Sequence, residues 1–196
     1  MNLPNGITVA RISACPLIAA LILLDPLAAR IAAFVLFLLA AFSDVFDGLL
    51  ARRSRRITRF GKLWDPLADK LLAAATFFPL ALVHELPLWL AFLVLGRELL
   101  ITLFRRYALA RGRVIAASPL GKAKTLSQNW LAGTALALRI LAAALPPEGV
   151  AGWARALDRA GRVSADLLVW VVVVLTLFSL ADYLYRNRAL MAGEPA

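Results

Sequence analysis

Six apolar runs of about twenty residues each dominate this chain. They cover approximately residues 7–24, 28–51, 61–83, 87–109, 122–145 and 164–185. A helix needs roughly twenty apolar residues to cross the hydrocarbon core of a bilayer, and each run is close to that length. Hydrophobic residues make up 62% of the 196 residues. We therefore predict one all-α domain, residues 1–196, that is a polytopic membrane protein with six transmembrane helices.

The segments between the runs carry helix-breaking and amphipathic signals. Pro26 and the pair Pro146 and Pro147 lie between runs, and Pro87 begins the fourth run. These prolines mark the turns on one side of the predicted bundle. Residues 148–163 combine charges with apolar residues at helical spacing. This pattern predicts a short juxtamembrane helix that lies in the membrane interface.

Basic residues indicate the orientation of the six-span topology. Fourteen of the twenty-two lysines and arginines fall in segments that this topology puts on one side of the membrane. They are Arg52, Arg53, Arg55, Arg56, Arg59, Lys62, Arg105, Arg106, Arg111, Arg113, Lys122, Lys124, Arg186 and Arg188. Because basic loops remain in the cytoplasm, we expect this side and both termini to be cytoplasmic. The net charge of +10 is divided among short loops, which favours membrane lipid over nucleic acid as a partner.

Four aspartates, Asp44, Asp47, Asp65 and Asp69, lie at the inner ends of the second and third runs. A carboxylate at mid-bilayer costs about 2.5–3.5 kcal/mol on insertion scales, so such residues are functional by default. Helical spacing puts the first two on one face and the last two on another. Two such faces together would form a cage of oxygen ligands for two divalent cations, Mg²⁺ or Mn²⁺.

Small and basic residues accompany these carboxylates. Gly48 and Ala51 share the face of the first aspartate pair, and Gly61 precedes the second pair by one turn. Residues this small leave room for a bulky ligand beside the cage. Arg52 follows directly and is suited to bind a phosphate.

The full pattern resembles the signature of the CDP-alcohol phosphatidyltransferase family. The chain reads D-x-x-D-G-x-x-A-R from Asp44, and after eight residues G-x-x-x-D-x-x-x-D from Gly61. The resemblance implies a homodimeric enzyme of the bacterial cytoplasmic membrane that uses CDP-diacylglycerol. In two-metal logic Asp44 and Asp65 would bridge both ions, Asp47 and Asp69 would each complete one, and Asp69 would be the general base.

The resemblance extends to the predicted nucleotide contacts. The segment P-N-x-x-T-x-x-R, from Pro4 to Arg11, is similar to the start of family members that make phosphatidylglycerophosphate, where it is implied to contact the cytidine end. Thr58 is similarly placed for a diphosphate oxygen. The predicted CDP-diacylglycerol-binding residues are Asn5, Thr8, Gly48, Ala51, Arg52, Thr58 and Gly61.

A second group of cations predicts an acceptor site. Arg97 lies inside an apolar run and needs an anion, which Glu98 or a substrate phosphate could supply. Arg105 is two turns further along the same face. Lys122 and Lys124 precede the fifth helix in a G-K-x-K-T string that is similar to the same family members. We expect these four residues to bind the acceptor phosphate.

The acceptor itself rests on the resemblance, which favours sn-glycerol 3-phosphate. Phosphatidylglycerol, as in cardiolipin synthase, inositol phosphate and serine stay open as alternative acceptors. A transporter would also place carboxylates in a membrane, but the chain has no strong internal repeat of the kind often found in transporters. A purely structural membrane protein is the third class.

Overall fold

Six α-helices make up the fold. The structure, a computed structural model, describes the backbone of residues 3–54, 59–112, 115, 119–145 and 152–188 and the side chains of 6–43, 64, 67–112, 115, 120–145 and 152–188. The helices are α1 (Leu3–Ile22), α2 (Leu27–Ser54), α3 (Arg59–Leu82), α4 (Leu88–Ala110), α5 (Pro119–Ala144) and α6 (Gly152–Arg186). These described residues contain no strand, which confirms the all-α prediction.

Each predicted span overlaps one helix. The ends of the first five helices differ from the predicted span ends by no more than four residues. Proline accounts for part of this agreement, because it fixes φ and cannot donate a helical hydrogen bond. Pro87, for example, adopts φ −70° and ψ 134° and forms the extended N-cap of α4.

The number of membrane crossings is not established by the helices themselves. Among the described residues, only α6 is both long and apolar enough to span a bilayer. Shorter apolar stretches occur in α1 and α2, over Gly6–Ile22 and Leu27–Ser43. Lys70 lowers the mean hydropathy of α3, and Arg97 lowers that of α4. The six-span prediction therefore remains a prediction.

The prediction of a separate interfacial helix over residues 148–163 is wrong. Instead, α6 begins at Gly152 and continues without a break to Arg186. Residues 152–163 contain no proline, and Asp158 accepts a hydrogen bond of 3.0 Å from Arg162 one turn later, so nothing ends the helix before the apolar run. Gly161 also lies against Leu138 of α5, where a β-carbon would collide with that leucine.

The helices form a closed ring. Each helix contacts its two neighbours in the order α1, α2, α5, α6, α4, α3 and back to α1, while α3 also contacts α2 and α5 across the ring. The apolar core joins all six helices through Ile18, Phe37, Leu80, Leu90, Leu131 and Val172, each no more than 2% exposed. This arrangement brings the second half of α2 and the first half of α3 next to α1 and α5.

Arg139 of α5 links the turn between α1 and α2 to the turn between α3 and α4. Its guanidinium is buried and donates to the carbonyl oxygen of Ile22, at the C-terminus of α1. Its Nε lies 3.7 Å from Glu85 in the turn between α3 and α4, and its Nη2 lies 3.9 Å from Asp25 in the turn between α1 and α2. A buried cation requires such partners, so these contacts hold both turns against α5.

Candidate active site

The helices carry the four predicted metal-binding aspartates. Asp44 and Asp47 belong to α2, Asp65 and Asp69 belong to α3, and these two helices contact each other. The side chains of the first three lie outside the described side chains, as do those of Asn5, Gly48, Ala51, Arg52 and Gly61, and Thr58 lies wholly outside the described residues. No group of three metal-ligating side chains occurs among the residues that are described. The metal cage therefore stays a prediction.

Asp69 is the one predicted metal ligand whose side chain is described. Its carboxylate is 49% exposed and accepts a hydrogen bond of 3.3 Å from Nη1 of Arg11. Arg11 is buried in α1, and its Nε donates to the hydroxyl of Ser43, 3.2 Å away. One guanidinium thus joins α1 to α3 at Asp69 and to α2 beside Asp44. Thr8, one turn before Arg11, is also buried.

A polar cavity of about 190 Å³ opens at Asp69. Its polar lining comes from three helices: Asp69, Lys70 and Thr76 of α3, Glu98 and Arg105 of α4, and Thr125, Gln128 and Asn129 of α5. Phe37 and Ala41 of α2 supply part of its apolar wall. The cavity therefore combines two carboxylates, two cations and several neutral hydrogen-bonding groups beside the aspartate motif.

A buried ion cluster supports the α4 wall of this cavity. Glu98 accepts hydrogen bonds from Lys124, which is fully buried, and from Nη1 of Arg97, 3.5 Å away. Nη2 of Arg97 donates to the hydroxyl of Ser179 in α6, at 3.0 Å. Two buried cations thus share one carboxylate, which reduces the cost of placing them away from water.

The four predicted acceptor-binding cations occupy different environments. Arg105 lines the polar cavity, and its guanidinium lies 5.8 Å from the ring centroid of Tyr183 in α6, within cation–π distance. Arg97 and Lys124 are buried against Glu98. Lys122 is exposed near the start of α5 and does not line the cavity. Their contact with an acceptor stays a prediction, with Arg105 the best placed.

Sequence reasoning missed several residues that line the cavity, among them Lys70, Gln128 and Asn129. Lys70 directly follows Asp69, and Gln128 and Asn129 belong to the polar string S-Q-N within the fifth apolar run. The available signal was the amide pair itself, because polar side chains inside a membrane helix are usually functional or paired.

An apolar groove adjoins the polar cavity. It has a volume of about 470 Å³ and lies between α2 and α5. Its lining comprises Phe34, Phe37, Leu38, Ala41 and Phe42 of α2, and Leu126, Asn129, Trp130, Gly133, Thr134 and Ala137 of α5. Phe37, Ala41 and Asn129 line both spaces, so the groove and the polar cavity lie side by side. Together they fit a molecule with a polar end and an apolar end.

Comparison with known proteins identifies the family of this chain. Residues 1–180 match the family model for CDP-alcohol phosphatidyltransferase. The chain belongs to the CDP-alcohol phosphatidyltransferase family.

Three relatives show which members of the family this chain resembles. The chain is 36% identical to the CDP-diacylglycerol–glycerol-3-phosphate 3-phosphatidyltransferase of Bacillus subtilis, covering 95% of each chain. It is 33% identical to the protein of the same name from Rickettsia bellii, covering 93% of each chain. It is also 35% identical to the probable phosphatidylglycerophosphate synthase of Mycobacterium tuberculosis, over 81% of this chain and 67% of that one.

Proposed function

We propose that this protein transfers the phosphatidyl group of CDP-diacylglycerol to sn-glycerol 3-phosphate, giving phosphatidylglycerophosphate and CMP. The observation that carries the proposal is that the polar cavity at Asp69 adjoins an apolar groove, with Phe37, Ala41 and Asn129 lining both. Transfer of a lipid-linked group to a small polar acceptor needs both environments side by side. The names of the similar proteins from Bacillus subtilis and Rickettsia bellii support the choice of substrates.

The reaction is a substitution at phosphorus. A hydroxyl oxygen of the acceptor bonds to the phosphorus that carries diacylglycerol, and the bond from that phosphorus to the bridging oxygen of CMP breaks. The hydroxyl proton passes to the carboxylate of Asp69, and CMP leaves with the electron pair. Asp69 suits this role because its carboxylate is half exposed and lines the cavity that would hold the acceptor.

Asp44, Asp47, Asp65 and Asp69 would hold two divalent cations. The donor set fits this assignment, since four carboxylates are hard oxygen ligands and their two helices are in contact. Bound Mg²⁺ or Mn²⁺ would neutralise charge on the diphosphate and on the departing CMP. Asn5, Thr8, Gly48, Ala51, Arg52, Thr58 and Gly61 would contact the nucleotide end of the lipid, as the family resemblance implies.

Arg105 tests the acceptor assignment. Arg105→Ala should raise the KM for glycerol 3-phosphate about tenfold or more, because a hydrogen bond to a charged group contributes about 1.5–3 kcal/mol. The KM for CDP-diacylglycerol should change little. Steady-state kinetics with each substrate varied separately would measure both values.

Arg106→Ala is the matched control, because Arg106 is also exposed on α4 but does not line the cavity. We expect it to keep both KM values. If Arg105→Ala raises both values together, or neither, Arg105 does not bind the acceptor phosphate.

Filling the apolar groove should affect the lipid chains. Ala137 is exposed in the groove, so Ala137→Phe should obstruct it without disturbing the core. We expect turnover of long-chain CDP-diacylglycerol to fall about tenfold, since overpacking costs roughly 1–3 kcal/mol. A short-chain analogue in detergent should still react at close to the wild-type rate.

Ala142→Phe provides the control on the same helix, because Ala142 is exposed but outside the groove. Rates with the long-chain and short-chain lipids would be compared for both variants. Equal losses on both lipids in Ala137→Phe would show that the groove does not hold acyl chains.

We further propose six membrane crossings with the site and both termini in the cytoplasm. Support comes from the length of the apolar runs and from the large apolar side chains on the outer surface. These include Leu39, Phe92, Trp170 and Phe178, each at least 60% exposed. Residue-specific labelling of single cysteines placed in each turn, in intact cells, would test this topology. Labelling of the turns beside Asp25 and Glu85 from the cytoplasmic side would contradict it.

The product made by the purified protein tests the whole proposal. Protein in detergent would receive CDP-diacylglycerol, Mg²⁺ or Mn²⁺, and either glycerol 3-phosphate, phosphatidylglycerol, inositol phosphate or serine. Mass spectrometry should find phosphatidylglycerophosphate with the first acceptor. A product with only another acceptor would reassign the substrate, and no product with any would favour a transporter or structural role. The homodimer implied by the family can be measured in the same sample by its mass.

A further inference from the structure

Gln128 lines the polar cavity and carries a hydrogen-bond donor that has no partner among the described residues. Its side chain lies on α5 and is 5% exposed. The amide nitrogen Nε2 is buried and has no hydrogen-bond partner within the described part of the chain. A buried donor without a partner costs about 1–3 kcal/mol, and each such group in a native protein requires an explanation.

Neighbouring polar side chains are satisfied in a different way. Ser127, the preceding residue, donates to the carbonyl oxygen of Lys124 at 2.7 Å. Thr76 across the cavity donates to Leu72 at 2.8 Å. The other buried polar atoms that lack a partner among the described residues, such as Nε of Arg97 and the hydroxyl of Tyr183, do not line this cavity. Among the residues that have such an unpartnered atom, only Gln128 lines the cavity.

The surroundings of Gln128 indicate the kind of ligand. Lys70 and Arg105 line the same cavity as cations, and Asp69 and Glu98 line it as carboxylates. The cations are suited to a phosphate, whereas a neutral amide is suited to a hydroxyl group, which both donates and accepts. The described cavity, at about 190 Å³, is smaller than the roughly 300–1,000 Å³ of pockets for larger ligands. It therefore fits a small phosphorylated alcohol better than a nucleotide.

We propose that Gln128 binds the acceptor and determines its specificity, by donating a hydrogen bond to the hydroxyl of glycerol 3-phosphate that does not react. The inference rests on the proposed function and adds a residue to its acceptor site. A site built to bond a substrate hydroxyl discriminates strongly against an analogue without it, because the site's own polar group is then left unpaired. Gln128 would thus favour a three-carbon phosphate with two hydroxyl groups.

Gln128→Leu separates binding from structure. Leucine has a similar size and lacks the amide, so it removes the unpaired donor without leaving a large cavity. We expect the thermal unfolding temperature to stay the same or rise. The KM for glycerol 3-phosphate should rise about tenfold or more, with the KM for CDP-diacylglycerol unchanged.

A substrate analogue sharpens the test. 3-Hydroxypropyl phosphate has the reacting hydroxyl and the phosphate but lacks the middle hydroxyl. The wild type should prefer glycerol 3-phosphate by about tenfold or more in kcat/KM, and Gln128→Leu should lose most of that preference. Gln128→Glu, which keeps the shape but cannot donate when ionised, should also lose it. Ser127→Ala, at a buried neighbour outside the cavity, should keep it.

The outcomes distinguish this inference from the proposed function. If the wild type forms no phosphatidylglycerophosphate, the proposed function fails, and the inference fails with it. If the wild type is active but both Gln128 variants keep the preference for glycerol 3-phosphate, only the role of Gln128 is overturned. A lower unfolding temperature with an unchanged preference would show that Gln128 is structural. If the leucine variant does not fold, the same ratio of kcat/KM values for the two acceptors, measured on the glutamate variant, tests the role of Gln128.

Discussion

Asp44→Asn and Asp65→Asn should each reduce phosphatidyl transfer to the level of a protein-free control. Each residue is proposed to contact both metal ions, and asparagine removes the negative charge while preserving size. Chelation of divalent cations should have the same effect on the unaltered protein and be reversed by adding Mg²⁺ or Mn²⁺. The measurement is formation of phosphatidylglycerophosphate by purified protein in detergent.

Asp166→Asn makes the same chemical change on the exposed surface of α6 and should keep normal activity. Thermal unfolding of all three variants would show whether the fold is retained. Near-normal turnover by Asp44→Asn or Asp65→Asn would remove the two-metal assignment. Full activity after thorough chelation would contradict it independently.

Asp69→Asn should lower kcat by about 10²- to 10⁴-fold, which is the usual contribution of a general base. Asparagine keeps a side-chain oxygen that can accept the hydrogen bond from the buried Arg11, so we expect the fold to be retained. Binding of CDP-diacylglycerol should be largely kept, since most predicted nucleotide contacts come from other residues. Single-turnover kinetics and direct binding of the lipid would separate the two effects.

Arg11 complicates the interpretation of this variant, because it hydrogen-bonds Asp69 and Ser43 together. Arg11→Lys keeps the charge but cannot span both partners as a guanidinium does. A moderate loss in Arg11→Lys with a severe loss in Asp69→Asn would agree with positioning by Arg11 and proton transfer by Asp69. An unchanged kcat in Asp69→Asn would assign the base to another residue.

Local rules account for most of the secondary structure. Long apolar runs and the prolines between them predicted six helices, and five of them end within four residues of the expected positions. The prediction of a separate interfacial helix failed because the charged residues were interpreted as a boundary between two helices. Alanine, leucine and arginine favour helix whether they face lipid or water, so residues 152–163 simply extend α6.

The chemistry of the site could be predicted as far as spacing along a helix reaches. Asp44 with Asp47, and Asp65 with Asp69, share faces because the helical repeat requires it. Similarity then assigned the family, since eight matched positions at set spacing carry far more information than composition. Residue spacing along one helix does not tell which side chains of another helix lie next to it.

By itself, then, the sequence determined the helices, the aspartate motif and the family. Only the tertiary structure decided which distant residues meet: Arg11 with Asp69, Lys124 with Glu98, and Gln128 with the polar cavity. The physical reason is that these contacts join different helices, and their geometry depends on the order of helices around the ring and on the rotation of each. A buried lysine or glutamine looks the same in sequence whether it meets a partner, a substrate or the lipid. Packing against the neighbouring helices determines which of these the side chain contacts.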